Sequence, residues 1–317
     1  MHGKIARKFI FTWKKILIKA KKVTFPGFDG LPIYNVMEFF GRSIVDGALT
    51  TRASAISFSF LMALFPAIIF LFTLIPYIPI ENFQIELFLL IKDMVPATAF
   101  LAIEETVQDI LTQQRGDLLS LGFFMALVFA TNGLASMMSA FDASLHTFER
   151  RTWWSQYIIA LELLVILSFL LTIAIALITF GQYFINYLAD QGYLKDHFSI
   201  YMLTFGKWIV IFLLFFMAIS FLYYLAPARK TTWRFLSAGS TMATVLCVVT
   251  FVLFSYYINR FGQYNKLYGS IGTLLVIMLL MYFISFILLV GFELNASIHE
   301  AVKHSKREPL VDKQGRR

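Results

Sequence analysis

The stretch Ser270–Ala296, SIGTLLVIMLLMYFISFILLVGFELNA, carries one charged residue, Glu293. As a helix rising 1.5 Å per residue it would run about 40 Å, more than the roughly 30 Å of hydrocarbon in a bilayer. Five further apolar segments precede it, at about Ser54–Pro79, Leu118–Phe141, Tyr157–Leu188, Tyr201–Leu225 and Phe235–Ile258. Each is long enough to span a bilayer. The fold class is therefore all-α, a polytopic membrane protein with six transmembrane helices.

Composition agrees. With 59% apolar and 15% charged residues, and a mean hydropathy of +0.73, the chain has too little polar surface for an ordinary soluble domain. The lone cysteine, Cys247, lies inside the fifth segment and excludes a disulfide framework or a thiolate metal cluster.

The net charge of +8 is distributed as a topology signal. Of the 27 Lys and Arg, 21 lie before the first segment, in the loops after the second and fourth segments (Arg150, Arg151, Arg229, Lys230, Arg234), or after the sixth. Lys92, Arg115, Lys195, Arg260 and Lys266 are all that the alternate loops hold, and Lys207 stands inside the fourth segment. The positive-inside rule places both termini in the cytoplasm, which an even number of spans permits. A nucleic-acid partner is not indicated.

Residues 1–34 read as a basic amphipathic N-terminal region rather than a cleavable signal peptide, because no uninterrupted apolar run of the required length occurs. At 100° per residue Lys4, Lys8, Lys15, Lys19 and Lys22 share one face, opposite Ile5, Phe9, Trp13, Ile16 and Ala20. Such a helix would lie on an anionic leaflet or simply anchor topology. A turn-rich stretch, Phe25–Pro32, then leads to a short elbow helix over Tyr34–Asp46. Residues 35–300 form the membrane domain, and residues 301–317 a basic, disordered cytoplasmic tail.

Between the first two spans, Ile80–Asp117 carries its own helical pattern. Phe100, Ile103, Val107, Ile110 and Leu111 face one way; Glu104, Glu105, Gln108, Asp109 and Thr112 face the other. Phe83, Leu87, Leu90, Ile91 and Met94 form a similar stripe before Pro96. Two short helices over the outer mouth are expected. Their seven acids against two bases would attract a cation or basic partner, or merely solvate a cap.

Polar groups at membrane depth are costly and mark candidate sites. Glu162 in segment three and Glu293 in segment six fall near the cytoplasmic end, close to Arg52, Asp142 and His146. Arg52 is expected to pair with Glu293 or Glu162, unless these charges serve only as interfacial anchors. Asn132, near the middle of segment two, should hydrogen-bond another helix. Pro66 should kink segment one, with gating a further reading. Ser237, Ser240, Thr241, Thr244 and Cys247 make a small-residue stripe beside Gly239, suited to close helix packing. Tyr268-Gly-Ser-Ile-Gly272 reads as a tight, flexible entry to segment six and lacks the form of a phosphate loop.

Catalytic constellations are missing. His299 and His304 are five residues apart, whereas a zinc-binding helix face needs a spacing of four. No nucleophile-elbow or nucleotide-loop motif occurs. No cofactor, metal or enzymatic chemistry is expected.

Arg52-Ala-Ser-Ala-Ile-Ser-Phe58 with Pro66, Tyr224-Leu-Ala-Pro227, Tyr268-Gly-Ser-Ile-Gly272 and Gly291-Phe-Glu-Leu-Asn295 together resemble the YihY/BrkB family of bacterial inner-membrane proteins, over roughly residues 35–300. The chain has Asp142 where members often carry Asn, and Ala238-Gly239 where they often carry Pro-Gly. The resemblance implies a six-span inner-membrane protein linked to envelope integrity, serum resistance and lipid or lipopolysaccharide export. An older family label, ribonuclease BN, finds no acidic or histidine metal cluster here.

Three readings stand. The bundle moves phospholipid or glycolipid between leaflets or to an envelope-spanning protein partner. Alternatively it is an ion-coupled exporter or channel for a small solute, or a scaffold. The resemblance favours the first, with membrane lipids as partners and the oligomeric state open. Candidate functional residues are Arg52, Pro66, Asn132, Asp142, Glu162, Tyr268, Gly269, Gly272, Glu293 and Asn295.

Overall fold

The computed structural model describes residues 24–314, apart from residues 25–26, 29, 47, 79–82, 95–96, 145–150, 192–196, 229–234 and 261–263. The expected N-terminal amphipathic helix and His146 lie outside the described residues. Nine α-helices are described: α1 (Ile33–Asp46), α2 (Leu49–Leu74), α3 (Phe83–Met94), α4 (Ala97–Thr112), α5 (Gly116–Ser144), α6 (Trp153–Asp190), α7 (His197–Leu225), α8 (Ala238–Arg260) and α9 (Tyr264–Gln314). Six of them, α2 and α5 to α9, are long and apolar enough to cross a membrane. Each satisfies its backbone polar groups internally, as hydrocarbon requires.

Packing follows small side chains. The most extensive pairing is α2 with α5, where Gly122 lets α5 approach the backbone of Phe70 and Gly133 makes room for the Phe60 ring. No hydrophobic drive brings helices together in lipid, so van der Waals contact at such positions carries the association. α2 stays helical across the buried Pro66. α9 lies centrally, against α1, α2, α5 and α8.

Its seam with α8 is the tightest. A methyl group on Gly239 would come within 2.1 Å of the Gly291 carbonyl oxygen; one on Gly291 would meet Tyr223 Oη at 2.5 Å and the Ala243 methyl at 2.7 Å. The stripe Gly239–Ala243–Cys247 recurs every four residues on α8, and all three are buried. Of the stripe expected from the sequence, Ser240, Thr244 and Cys247 are buried but Thr241 is exposed, and the close approach to α9 is made by Gly239 and Ala243 beside it.

The elbow helix α1 packs on α9 in a cluster of Val36 with Leu294, Ile298 and Ala301, joined by Leu31 from just ahead of α1. Ahead of it the turn-rich stretch closes by a Thr24–Pro32 bridge, with Gly27 and Gly30 at φ +95° and +80°. The two cap helices are present as α3 and α4. Gln84 on α3 donates to the carbonyls of Ile75 and Ile78, Gln114 donates to that of Pro76, and Asp109 pairs with Arg115. Leu111 is buried while Glu105, Gln108 and Thr112 are exposed, the two faces read from the periodicity.

Two expectations are corrected. Tyr268–Gly272 lies within α9, which begins at Tyr264, so it is helix and not a tight entry turn. Residues 301–314 continue the same helix rather than forming a disordered tail. Extending an existing helix needs no new nucleus, which outweighs the unfavourable composition there.

Gly239→Ala should destabilise the detergent-solubilised protein by about 1–3 kcal/mol, the usual cost of overpacking. Gly41→Ala, where a methyl meets nothing within 4 Å, should leave the thermal midpoint unchanged or slightly raised. A Gly239→Ala variant melting with the parent would contradict the seam as described.

Candidate functional site

Arg52 sits in the first turn of α2, where a positive charge opposes the helix dipole. It is held there by two other helices. Nη1 donates to the Ala140 carbonyl (2.7 Å) and to Ser144 Oγ (2.7 Å) in the last turn of α5, a favourable place for a cation. Nη2 donates to Glu293 Oε1 on α9 at 2.8 Å. The Glu293 side chain is 1% exposed and that of Arg52 13%. Of the two expected partners of Arg52, the structure selects Glu293; Glu162 is exposed and stands outside the cluster.

The pair is incompletely satisfied. Arg52 Nε, Glu293 Oε2 and, one turn along α9, Ser297 Oγ are buried without a hydrogen-bond partner. Next to Glu293, Phe292 stacks on Phe141 at 4.1 Å and 6°. Tyr223 meets both rings edge-on and donates its hydroxyl to the Leu288 carbonyl at 2.6 Å. These three rings form an aromatic floor in the buried core beside the ion pair.

Asn295, two residues on, caps another helix. Its Oδ1 accepts from the Gly239 amide (2.8 Å), an otherwise unsatisfied donor at the start of α8, and its Nδ2 donates to Ser237 Oγ (2.8 Å). Ser237 and Ser240 complete the cap reciprocally. Ala238 is the first residue of α8, where proline is well tolerated, so Ala-Gly in place of Pro-Gly keeps the geometry.

Asp142 and Arg151 clamp the exit of α7. Arg151 donates to the carbonyls of Leu225, Ala226 and Pro227, the last at 2.6 Å, which suits a cation at a helix C-terminus. Burial lowers the Arg151 guanidinium from its ordinary value and the Asp142 charge opposes that shift. Asp142 Oδ1 accepts from the Ala228 amide at 2.7 Å; an asparagine carbonyl would serve equally. Asp142 thus belongs to this clamp and not to the Arg52 contacts.

Other expected residues lie elsewhere. Asn132 accepts a 2.6 Å bond from the Tyr157 hydroxyl on α6, the interhelical bond expected of it. Gln156 adds bonds to the Ala135 carbonyl and Ser139 Oγ, so this is a packing seam. Pro66 is buried in α2, about 21 Å along the helix from Arg52. Gly272, with Tyr268 and Gly269 beyond it, stands about 32 Å along α9 from Glu293.

Sequence reasoning missed Ser144, Tyr223 and the Phe141–Phe292 stack. It also missed two adjoining chambers in the bundle. One, of about 450 Å³, is lined by Phe60, Leu134, Leu164, Ile219, Cys247 and Leu288 among others. The second, of about 520 Å³, lies between α6, α7 and α8 beside Leu171, Ala174, Trp208 and Val248. Leu167, Phe215, Ala218 and Phe251 wall both. No Asp, Glu, Lys, Arg or His lines either one among the described residues.

Arg52→Ala and Glu293→Ala should each cost about 3–5 kcal/mol, because each strands a buried charge. The double variant should lose clearly less than the two added together; additive losses in a denaturation cycle would argue against direct coupling. Asp142→Asn should fold as the parent does. Asp142→Leu, which leaves the Ala228 amide without its acceptor, should lose about 1–3 kcal/mol.

Comparison with known proteins agrees with the architecture. The chain is 28% identical over 260 residues to the ribonuclease-like protein YfkH of Bacillus subtilis, covering 82% of this chain and 93% of that protein. A UPF0761 membrane protein of Aliivibrio salmonicida is 26% identical over 83% of each chain. One of Idiomarina loihiensis is 27% identical over 52% of this chain and 57% of the relative. No solved structure matches. The model of the virulence factor BrkB family matches residues 42–314, nearly the whole membrane bundle. This six-span membrane protein belongs to the virulence factor BrkB family.

Proposed function

We propose that the bundle takes membrane lipid, a phospholipid or glycolipid, into its chambers and moves it between leaflets or passes it to an envelope-spanning partner. The observation that carries this reading is the pair of adjoining apolar chambers inside the membrane domain. A hydrocarbon chain enters such a space without losing hydrogen bonds. An ion or polar solute would surrender its hydration with nothing to replace it.

The ion-coupled alternative needs acids on the path. Glu293 is engaged by Arg52 in the cluster beside the aromatic floor, and Glu162 is exposed away from both. A ribonuclease role, suggested by the name of one relative, would need a metal-holding set, and no group of three His, Cys, Asp or Glu converges among the described residues. The protein is read as a non-enzymatic protein of the bacterial inner membrane. Its basic residues Arg42, Arg52, Arg151 and Lys303 lie toward the bundle end bearing the ion pair and clamp, which the positive-inside rule assigns to the cytoplasm with both termini.

Proteoliposomes holding fluorescent phospholipid give the test. Chemical reduction from outside should bleach well beyond the outer-leaflet half when the parent protein is present. Ala218→Trp, which fills the wall shared by the chambers, should return bleaching to half; Arg52→Ala and Glu293→Gln should slow it. Bleaching that stops at half with well-reconstituted parent protein would reject autonomous lipid movement.

A further inference from the structure

Lys207 is the one charged residue within the fourth span. It stands about 27 Å along α7 from Leu225, so it reaches the hydrocarbon boundary at the end opposite the Arg52–Glu293 cluster. Its aliphatic stem crosses the seam to α6 at Gly181, where an added methyl would come within 3.1 Å of Cδ. Its ammonium lies 5.7 Å from the centroid of the Trp208 ring, within cation–π range. Trp208 in turn lines the second apolar chamber, with Ala174 on α6 about 10 Å short of Gly181. A cation therefore sits on the indole at one end of an uncharged cavity.

The chamber's rim faces the bilayer. Leu171 and Trp208, which line it, are 61% and 56% exposed on the flank of the bundle. Hydrocarbon can enter there sideways between α6 and α7. A chamber that accepts a chain from the side and carries a fixed positive charge at headgroup level is complementary to one kind of molecule.

We propose that this chamber is a lateral binding site for an anionic phospholipid, with an acyl chain between α6, α7 and α8 and the phosphate on Lys207. The identity of the occupant's chain rests on the lipid reading above; the headgroup selection is new. Trp208 forms the contact between the two parts, since its ring touches the chain on one side and the ammonium on the other. Zwitterionic lipid can fill the same cavity but gains less from Lys207, because its own ammonium offsets the phosphate. On the orientation proposed above, the site opens to the leaflet away from the cytoplasm.

Trp208 supplies the readout. The chain has five tryptophans, and replacing Trp13, Trp153, Trp154 and Trp233 by Phe leaves Trp208 as the sole indole. The full-length protein is reconstituted in vesicles containing phosphatidylglycerol or phosphatidylcholine with brominated acyl chains, which quench tryptophan on contact. Retention of the parent's helical circular dichroism verifies that each variant is folded. Half-maximal quenching should need about fivefold less anionic than zwitterionic lipid, the equivalent of about 1 kcal/mol at one lysine. Lys207→Gln should erase that preference and Lys207→Arg should keep it. Ala174→Phe, which narrows the chamber, should reduce quenching by both lipids.

Equal quenching by the two lipids, or a preference that survives Lys207→Gln, would overturn the proposal. So would quenching by both lipids left undiminished by Ala174→Phe, which would place the lipid on the outside of the bundle. Binding at equilibrium is read without any translocation. A protein that moves lipid without headgroup preference refutes only this inference, and one that selects anionic lipid without moving it refutes only the transport reading.

Discussion

The Arg52 guanidinium is the point at which three helices depend on one another. It brings the start of α2 to the end of α5 and to the carboxylate of α9. In a medium with no water to substitute, a fixed cation must be met by carbonyls and a carboxylate or not be buried at all. The register of α2, α5 and α9 at this end follows from that demand. The aromatic floor, the Asn295 cap and the Asp142–Arg151 clamp gather at the same end. Polar specification is thus concentrated there, and the remaining bundle is free to be apolar.

That division explains the chambers. Where α8 and α9 touch through Gly239 and Gly291, the backbones are nearly in contact and leave no space. Away from that seam, α6 and α7 meet the rest through large side chains such as Phe215, Phe251 and Leu167. Bulky, branched or aromatic walls held at a distance by a rigid seam do not collapse onto each other. The cavities are the space left between tightly and loosely packed parts of one bundle.

Much of this was legible in the sequence, for a physical reason. Hydrophobic runs longer than the bilayer is thick announce spans, and a charge or amide inside such a run demands a partner. Arg52, Glu293 and Asn132 were found that way, with the correct requirement attached to each. Glu162 stands beside Glu293 as an alternative partner in the sequence because α6 is apolar all round, so its sequence does not say which face turns inward. The chambers were illegible because Leu and Phe lining a cavity read the same as Leu and Phe facing lipid. The helical tail was hidden by its charge and by Pro309, since composition reports what residues prefer alone and not that α9 already leads into them.

α9 is continuous over 51 residues, about 77 Å at 1.5 Å per residue, and is gripped near its middle where Gly291 meets α8. Mechanically that is a beam on a pivot. The arm toward Tyr264 is about 40 Å long and the arm toward Gln314 about 35 Å. A tilt too small to disturb the glycine contact would displace the two ends in opposite directions by several times the motion at the pivot. Load applied to the basic arm would thereby move the Tyr264 end through a single element, with no chain of intermediaries.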